Sequence, residues 1–245
     1  MNILLDTHTH TLASGHAYNT INEMIQAAAD RGLKLLALTE HAPAMPGSCG
    51  DFYFYNLKIL PRMQKGIEVM FGVELNIMDY TGRIDLPERY IESTDLRIAS
   101  LHIPCIKPGS VEENTDALVG AIRNPYVDII GHPDDSRYPL DYERLVAEAK
   151  TYGKIIELNN NSLSPLNARA NAKENDRVLL KLCAKYRVPV VMGSDSHADF
   201  MVGVFDDALE LVEETGFPKE LILNDSVEKF KYYLQLGRSI CKSEN

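Results

Sequence analysis

The sequence predicts an α/β fold, a barrel of parallel strands, from three observations. Short apolar runs alternate with helical patterns along the whole chain, the strand–helix unit recurs seven times, and no Pro- or Ser-rich linker interrupts the series. Units averaging about 30 residues have the spacing of βαβ crossovers, which set strands parallel and helices outside them. Closed α/β barrels fill ~250 residues as one domain, so the 245 residues are expected to form a single domain over 1–245. Alternation does not separate a closed or distorted barrel from a doubly wound open sheet; the barrel is the first reading and the open sheet the second.

The elements follow from hydrophobic period and punctuation. Ile3 to Leu5 is a first buried strand. Ile21, Met24, Ile25 and Ala28 then repeat at helical spacing, Thr20 with Glu23 makes a capping box, and Gly32 ends the helix. Leu33 to Leu38 is a second strand, a helix is expected over residues 56–65, and Ile67 to Val73 is a third strand. Leu96 to Leu101 is a strand before a helix carrying Leu118, Val119 and Ile122. Val127 to Ile130 precedes a helix with Leu145, Val146 and Ala149, closed by Gly153. Ile155 to Leu158 precedes a helix with Leu179, Leu182, Cys183 and Tyr186. Val188 to Met192 precedes Phe205, Ala208, Leu209 and Val212 on a helix ending at Gly216. A last amphipathic helix starts near Ser226 and stops near Gly237.

Composition narrows the function classes. Hydrophobic residues make up 45% and charged residues 24%, enough apolar material for one large core. The net charge of −10 gives no general attraction for polyanions, and no stretch is rich in Lys and Arg or interleaves them with aromatics. Nucleic acid is therefore not an expected partner. No apolar run approaches a membrane span, and the start of the chain lacks a basic, apolar leader, so the expected location is cytoplasmic with no membrane partner. Cys49, Cys105, Cys183 and Cys241 form no Cys-x-x-Cys pair and read as free buried thiols.

The histidines carry the chemistry. His8, His10 and His16 follow the first strand, His41 the second, His102 the fourth, His132 the fifth and His197 the seventh, so every histidine falls at or beyond the C-terminal end of a predicted strand. Glu74 ends the third strand and Asp195 follows the seventh. In parallel α/β folds those ends converge on one face, where barrel enzymes place their active sites. Asp6-Thr7-His8-Thr9-His10 sets two imidazoles two apart on an extended segment, so that both point to one side and suit one metal ion. Gly193-Ser194-Asp195-Ser196-His197 sets a carboxylate and an imidazole two apart among small residues, and Gly131-His132-Pro133 holds a histidine at a rigid turn. Glu74, closing an apolar strand, needs a partner for its charge. Seven imidazoles and two carboxylates without thiolates suit Zn²⁺, Mn²⁺ or Fe²⁺.

Taken in order, Asp6-x-His8-x-His10, Thr39-Glu40-His41, Gly72-x-Glu74, the strand-end His102, Gly131-His132-Pro133 and Gly193-Ser194-Asp195-Ser196-His197 resemble the motifs of the polymerase and histidinol phosphatase (PHP) family. The chain is most similar to that family's small stand-alone phosphatases of the YcdX type, with motifs running from Asp6 to His197. The resemblance implies a distorted (β/α)₇ barrel with a metal cluster at its C-terminal face. It implies that His8, His10, Glu74 and Asp195 hold one ion, that Glu74 bridges to a second held by His102 and His132, and that His16, His41 and His197 hold a third. The expected cofactors are two to three divalent ions, zinc first and manganese or iron as alternatives. The expected reaction is hydrolysis of small phosphate monoesters, with Glu74 and Asp195 as the catalytic carboxylates and a metal-bridged hydroxide as nucleophile. Asp6 and Glu40 fit as outer acceptors for imidazole N–H groups, and Asn159, with Asn160 and Asn161 beside it, as a hydrogen-bonding group for substrate or for a tight turn. A small phosphorylated molecule is the expected partner, with assembly into a homo-oligomer left open.

Two other enzyme classes compete. A metal-dependent amidohydrolase also uses His-x-His on a barrel, but typically needs a metal-bridging lysine, and no lysine lies at a strand end here. It also leaves His16 and His41 without a role. A 3′–5′ exonuclease of the same family is disfavoured by the acidic charge. A non-enzymatic metal-binding protein is the third alternative.

Overall fold

The computed structural model describes residues 1–165 and 169–243. Among them, eight strands form one sheet: β1 (Leu5–Asp6), β2 (Leu35–His41), β3 (Met63–Gln64), β4 (Ile67–Asn76), β5 (Arg97–Ser100), β6 (Ile129–Ile130), β7 (Ile155–Asn159) and β8 (Val190–Gly193). Seven pair in parallel in the order β1-β2-β4-β5-β6-β7-β8, and β3 adds an antiparallel edge to β4. The helices are α1 (Ile21–Asp30), α2 (Asp51–Asn56), α3 (Glu88–Ile91), α4 (Val111–Arg123), α5 (Tyr142–Thr151), α6 (Asn160–Leu163), α7 (Ala172–Tyr186), α8 (Asp206–Thr215) and α9 (Val227–Ser243). Spatial order follows chain order, as in a barrel, so the open doubly wound alternative is not the one adopted. No helix is long and apolar enough to cross a membrane among the described residues.

The sheet is nearly closed, and side chains stitch the seam between β1 and β8. Thr9 and Ser196 form a single parallel bridge just beyond the strand ends. The Asn224 amide sits in the gap, donating to the carbonyls of Leu5 (3.1 Å) and Met192 (2.8 Å) and accepting the Met192 N–H (2.7 Å). Asp6 reinforces it, its carboxylate accepting the N–H groups of Ser194 (3.1 Å) and Gly203 (2.9 Å). These contacts replace the missing ladder and satisfy backbone groups that would otherwise be buried alone.

Side-chain alternation explains how a barrel interior becomes a site. On a strand, residues two apart share a face. Leu35, Ala37, Met70, Leu96, Ile98, Ile129, Ile155 and Val191 belong to one buried apolar cluster that draws on every parallel strand. Continuing the same parity toward the C-terminal ends leads to His41, Glu74, Asn76, His102, Glu157, Asn159 and Asp195. The other parity, with Leu36, Leu38, Val69, Phe71, Ile130, Ile156 and Met192, packs with the helices. One face of each strand is thus apolar at its start and chemical at its end.

The last helix, which the motifs leave without a role, completes that inner core. Phe230 and Leu234 of α9 pack with the inward residues of the strands. Arg238 anchors the helix with two bonds to the Asp128 carboxylate (2.7 and 2.6 Å) and one to the Asp95 carbonyl (2.8 Å), and Lys231 pairs with Glu68 at 2.6 Å. The helix runs past Gly237, where the sequence predicted a stop, because that glycine is a contact point: a side chain there would collide with the Gly153 carbonyl.

The expected helix over residues 56–65 is also displaced. The chain instead forms α2, a 3₁₀ turn over Leu57–Ile59, and the hairpin of β3 with β4. Pro61 forbids continuation, leaving Leu60 extended (ψ 134°), and Lys65-Gly66, both at positive φ, reverse the chain. The Thr20–Glu23 capping box forms as its spacing predicts.

Candidate metal centre

Glu74 is the hub. It is sealed from solvent, and its two oxygens face different sets of imidazoles. Oε2 lies 2.7 Å from His41 Nδ1, 3.3 Å from His8 Nε2 and 3.5 Å from His10 Nε2, while Oε1 lies 2.9 Å from His132 Nε2 and 3.2 Å from His102 Nε2. Asp195 Oδ1 stands 3.4 Å from His10 Nε2 and 3.7 Å from His8 Nε2. The Nε2 atoms of His16 and His197 approach to 3.1 Å, and the His16 ring stacks at 4.9 Å on that of His41. All nine predicted ligands therefore converge. They are graded by exposure: Glu74, His8 and His10 are sealed, His102 and His197 half-buried, and His16 exposed, so the cluster opens on the His16 side.

The backbone at two of these positions is strained. His132 (φ 29°) and Asp195 (φ 49°) are left-handed without being glycine, a conformation that persists where surrounding structure fixes a side chain's direction. Gly193 has a steric reason: a Cβ there would strike the Glu157 carboxylate and the His8 side chain.

Glu157 is the residue that sequence reasoning missed. Its Oε1 accepts from His8 Nδ1 at 2.7 Å, and its Oε2 accepts the His132 N–H (2.9 Å). Its signal was available, since it shares inward parity with Ile155 and Asn159 on β7. Arg169 was missed as well; its Nη2 lies 3.1 Å from Asp195 Oδ2, and its Nη1 donates to Ser162. No strand pattern points to it.

The outer residues act differently from expectation. Asp6 holds backbone N–H groups at the seam, His8's among them (3.4 Å), and not an imidazole. Glu40 reaches His10 through a hydroxyl: Ser14 donates to Glu40 (2.6 Å), so its oxygen accepts from His10 Nδ1–H (3.0 Å). The Asn159 amide donates to Glu157 and Asp195, each at 3.2 Å, and accepts the Ser162 N–H (3.0 Å), so it ties two carboxylates together. Asn160 accepts the Ala208 N–H (3.0 Å), and Asn161 Nδ2 lies 3.5 Å from the Asp195 carbonyl.

Protonation fits a ligand set. Burial pushes His10 well below the usual imidazole value, and His41 and His197 add to the effect. Burial likewise lowers His102 and His16. Burial thus disfavours the protonated form of these rings, the form without a lone pair to give. Burial opposes charge on Glu74, but His102, His8 and His41 together hold its carboxyl well below the ordinary range. For His8, burial is outweighed by Glu157, Glu74 and Asp195, which raise it, so a cation arriving there displaces a proton.

The donor set passes a direct test of fit. Among the described residues, His8 Nε2, His10 Nε2, His41 Nδ1 and Glu74 Oε2 are buried polar atoms without hydrogen-bond partners, a costly arrangement unless a cation takes them. Among the described residues, three sets of atoms lie close enough to share an ion: His10, His41 and His197; His8, His10 and Glu74; and His41, Glu74 and His102.

Asp176, on α7, is sealed, and neither of its oxygens has a hydrogen-bond partner among the described residues. Burial raises its carboxyl well above the ordinary value of 3.8, with Asp134 and Glu157 adding to this and Arg169 opposing it. Above pH 3.8 the unfolded chain loses this proton while the folded protein keeps it. Stability should therefore fall as pH rises from there to the raised folded value, and level off beyond. Asp176→Asn removes the titration and should flatten that slope. Urea unfolding across the pH range checks it, and an unchanged slope would refute the assignment.

The PHP domain family profile matches residues 6–215, and the chain belongs to this family. Among its relatives, a probable phosphatase of Caldanaerobacter subterraneus subsp. tengcongensis is 49% identical over 97% of this chain and 93% of its own length. A probable phosphatase of Caldicellulosiruptor bescii is also 49% identical, over 96% of this chain and 98% of its own. The histidinol phosphate phosphatase of Lactococcus lactis subsp. lactis, solved with zinc, L-histidinol and phosphate, shares the fold with a TM-score of 0.60, at 16% identity over 88% of this chain and 94% of that one.

Proposed function

We propose that this protein is a metal-dependent phosphatase that hydrolyses small phosphate monoesters at a cluster of three divalent ions, acting as one domain over 1–245. The observation that carries the reading is the divided carboxylate of Glu74, with one oxygen toward His8, His10 and His41 and the other toward His102 and His132. His8, His10, Glu74 and Asp195 would hold one ion, Glu74, His102 and His132 a second, and His16, His41 and His197 a third. Zinc suits the set best, with manganese or iron as alternatives. When bound, such ions supply Lewis acidity to phosphate oxygens and lower the pKa of water.

The chain's residues do the rest. Glu157 and the Ser14–Glu40 pair fix the His8 and His10 rings through Nδ1, leaving Nε2 toward the centre. Arg169 and Asn159 hold Asp195 Oδ2, leaving Oδ1 toward the imidazoles. Entry past His16 and His197 suits a small ester, with the strands' apolar layer behind it excluding water.

A panel of small phosphate monoesters tests the proposal in stripped and reconstituted protein. Phosphate release should require added Zn²⁺, Mn²⁺ or Fe²⁺, with the fold retained after stripping. Release by the fully stripped protein would refute the metal dependence, and an inert panel in the loaded protein would refute the phosphatase.

A further inference from the structure

We infer that Asn76 and Asp85 are positioning residues that lock His102 in a single tautomer with Nε2 free. The inference rests on the metal reading above only for its purpose; the geometry stands alone. His102 Nδ1 lies 2.7 Å from Asn76 Oδ1. Which end of an amide faces a neighbour is decided by the rest of its contacts. Here Asn76 Nδ2 lies 2.8 Å from Asp85 Oδ2 and 3.1 Å from the Ala42 carbonyl. Both are acceptors only, so this end must be the NH₂ and the end toward His102 must be the oxygen.

An oxygen there accepts, so His102 donates Nδ1–H and its lone pair is on Nε2, the atom 3.2 Å from Glu74 Oε1. Asp85 is itself fixed by the backbone: its Oδ1 accepts the Asn76 N–H (2.9 Å) and its Oδ2 the Ala44 N–H (2.8 Å). The result is a carboxylate–amide–imidazole chain. It does for His102 what Glu157 does directly for His8.

The chain predicts different outcomes for its two links. Asn76→Leu removes the acceptor and leaves both His102 tautomers open. Asp85→Asn can place an NH₂ against the Asn76 NH₂, which favours a flipped Asn76 amide and moves the His102 proton to Nε2. Long-range ¹H–¹⁵N correlation spectra of histidine-labelled, metal-free protein read the tautomer without any activity. Wild type should show His102 as Nδ1–H alone, and each variant should lose that purity. Zinc titration against a competing chelator should then show roughly 10–100-fold weaker binding at the ion His102 serves.

Wild-type His102 protonated at Nε2, or variants with unchanged tautomer and zinc affinity, would overturn the inference. The wild-type spectrum needs no variant to fold, and it stands even if the protein takes up no metal, an outcome that would sink the proposed function instead.

Discussion

Glu74→Gln should empty two ion sites at once and lower turnover by at least ~10²-fold, the scale on which losing one charge-stabilising group acts. Glutamine keeps the side chain's size, so packing among the strands is not the variable. It removes the charge and turns one of the two oxygens into an NH₂ donor facing imidazole atoms 2.7–3.5 Å away. Those imidazoles then have no anion between them, and cations at adjacent positions repel without a bridge. His16→Ala is the comparison. His16 sits at the exposed end of the cluster and approaches His197 and His41, not Glu74, so its loss should mainly empty the third site. Were Glu74 merely a turn cap, the variant would cost about 0.5–2 kcal/mol of stability with metal content unchanged. Metal stoichiometry and turnover measured on both variants separate the two accounts.

Phe230→Ala should be the most destabilising single change at the other end of the strands. The ring is fully buried in one apolar cluster with Leu5, Met70, Ile98 and Ile129 from four different strands. Truncation leaves a cavity that rigid strands cannot collapse to fill, a cost of about 3–5 kcal/mol. Because the candidate ligands lie at the opposite strand ends, the chains that remain folded should keep whatever metal the wild type holds. Equilibrium unfolding in urea with metal analysis of the folded fraction checks both parts; a loss under about 1 kcal/mol would mean that α9 does not plug the barrel.

Much of this architecture was legible in the sequence because it is periodic. Parallel strands buried on both faces read as apolar runs, and their ends are marked where apolar residues give way to His41, Glu74, His102 and Asp195. The candidate ligands were legible for the same reason: all but His16, which sits beyond the 3₁₀ turn that follows β1, lie on or within a few residues of a strand end. Residues that act through one intermediary were harder. Glu157 lies inside a strand whose neighbours are apolar, and only strand parity marks it as inward. Glu40 was singled out, but its route through Ser14 depends on the loop after β1 folding back across β2, which no local pattern reports. Asp6 reads in sequence as an acceptor for an imidazole N–H; the structure gives it the β1–β8 seam, a contact with residues almost two hundred positions away. Arg169 comes from a loop with no period at all. The two displaced boundaries have different causes: a helix over 56–65 overlooks Pro61, whose ring ends it locally, whereas Gly237 reads as a stop but is used as a contact point against Gly153.

The most direct test of the central claim is the metal content of the purified wild-type protein. Elemental analysis, before and after reconstitution with Zn²⁺ or Mn²⁺, should find about two to three equivalents per chain if the cluster holds the proposed ions. Less than about one equivalent after reconstitution would contradict it, because the unpartnered atoms of His8, His10, His41 and Glu74 would then need another explanation.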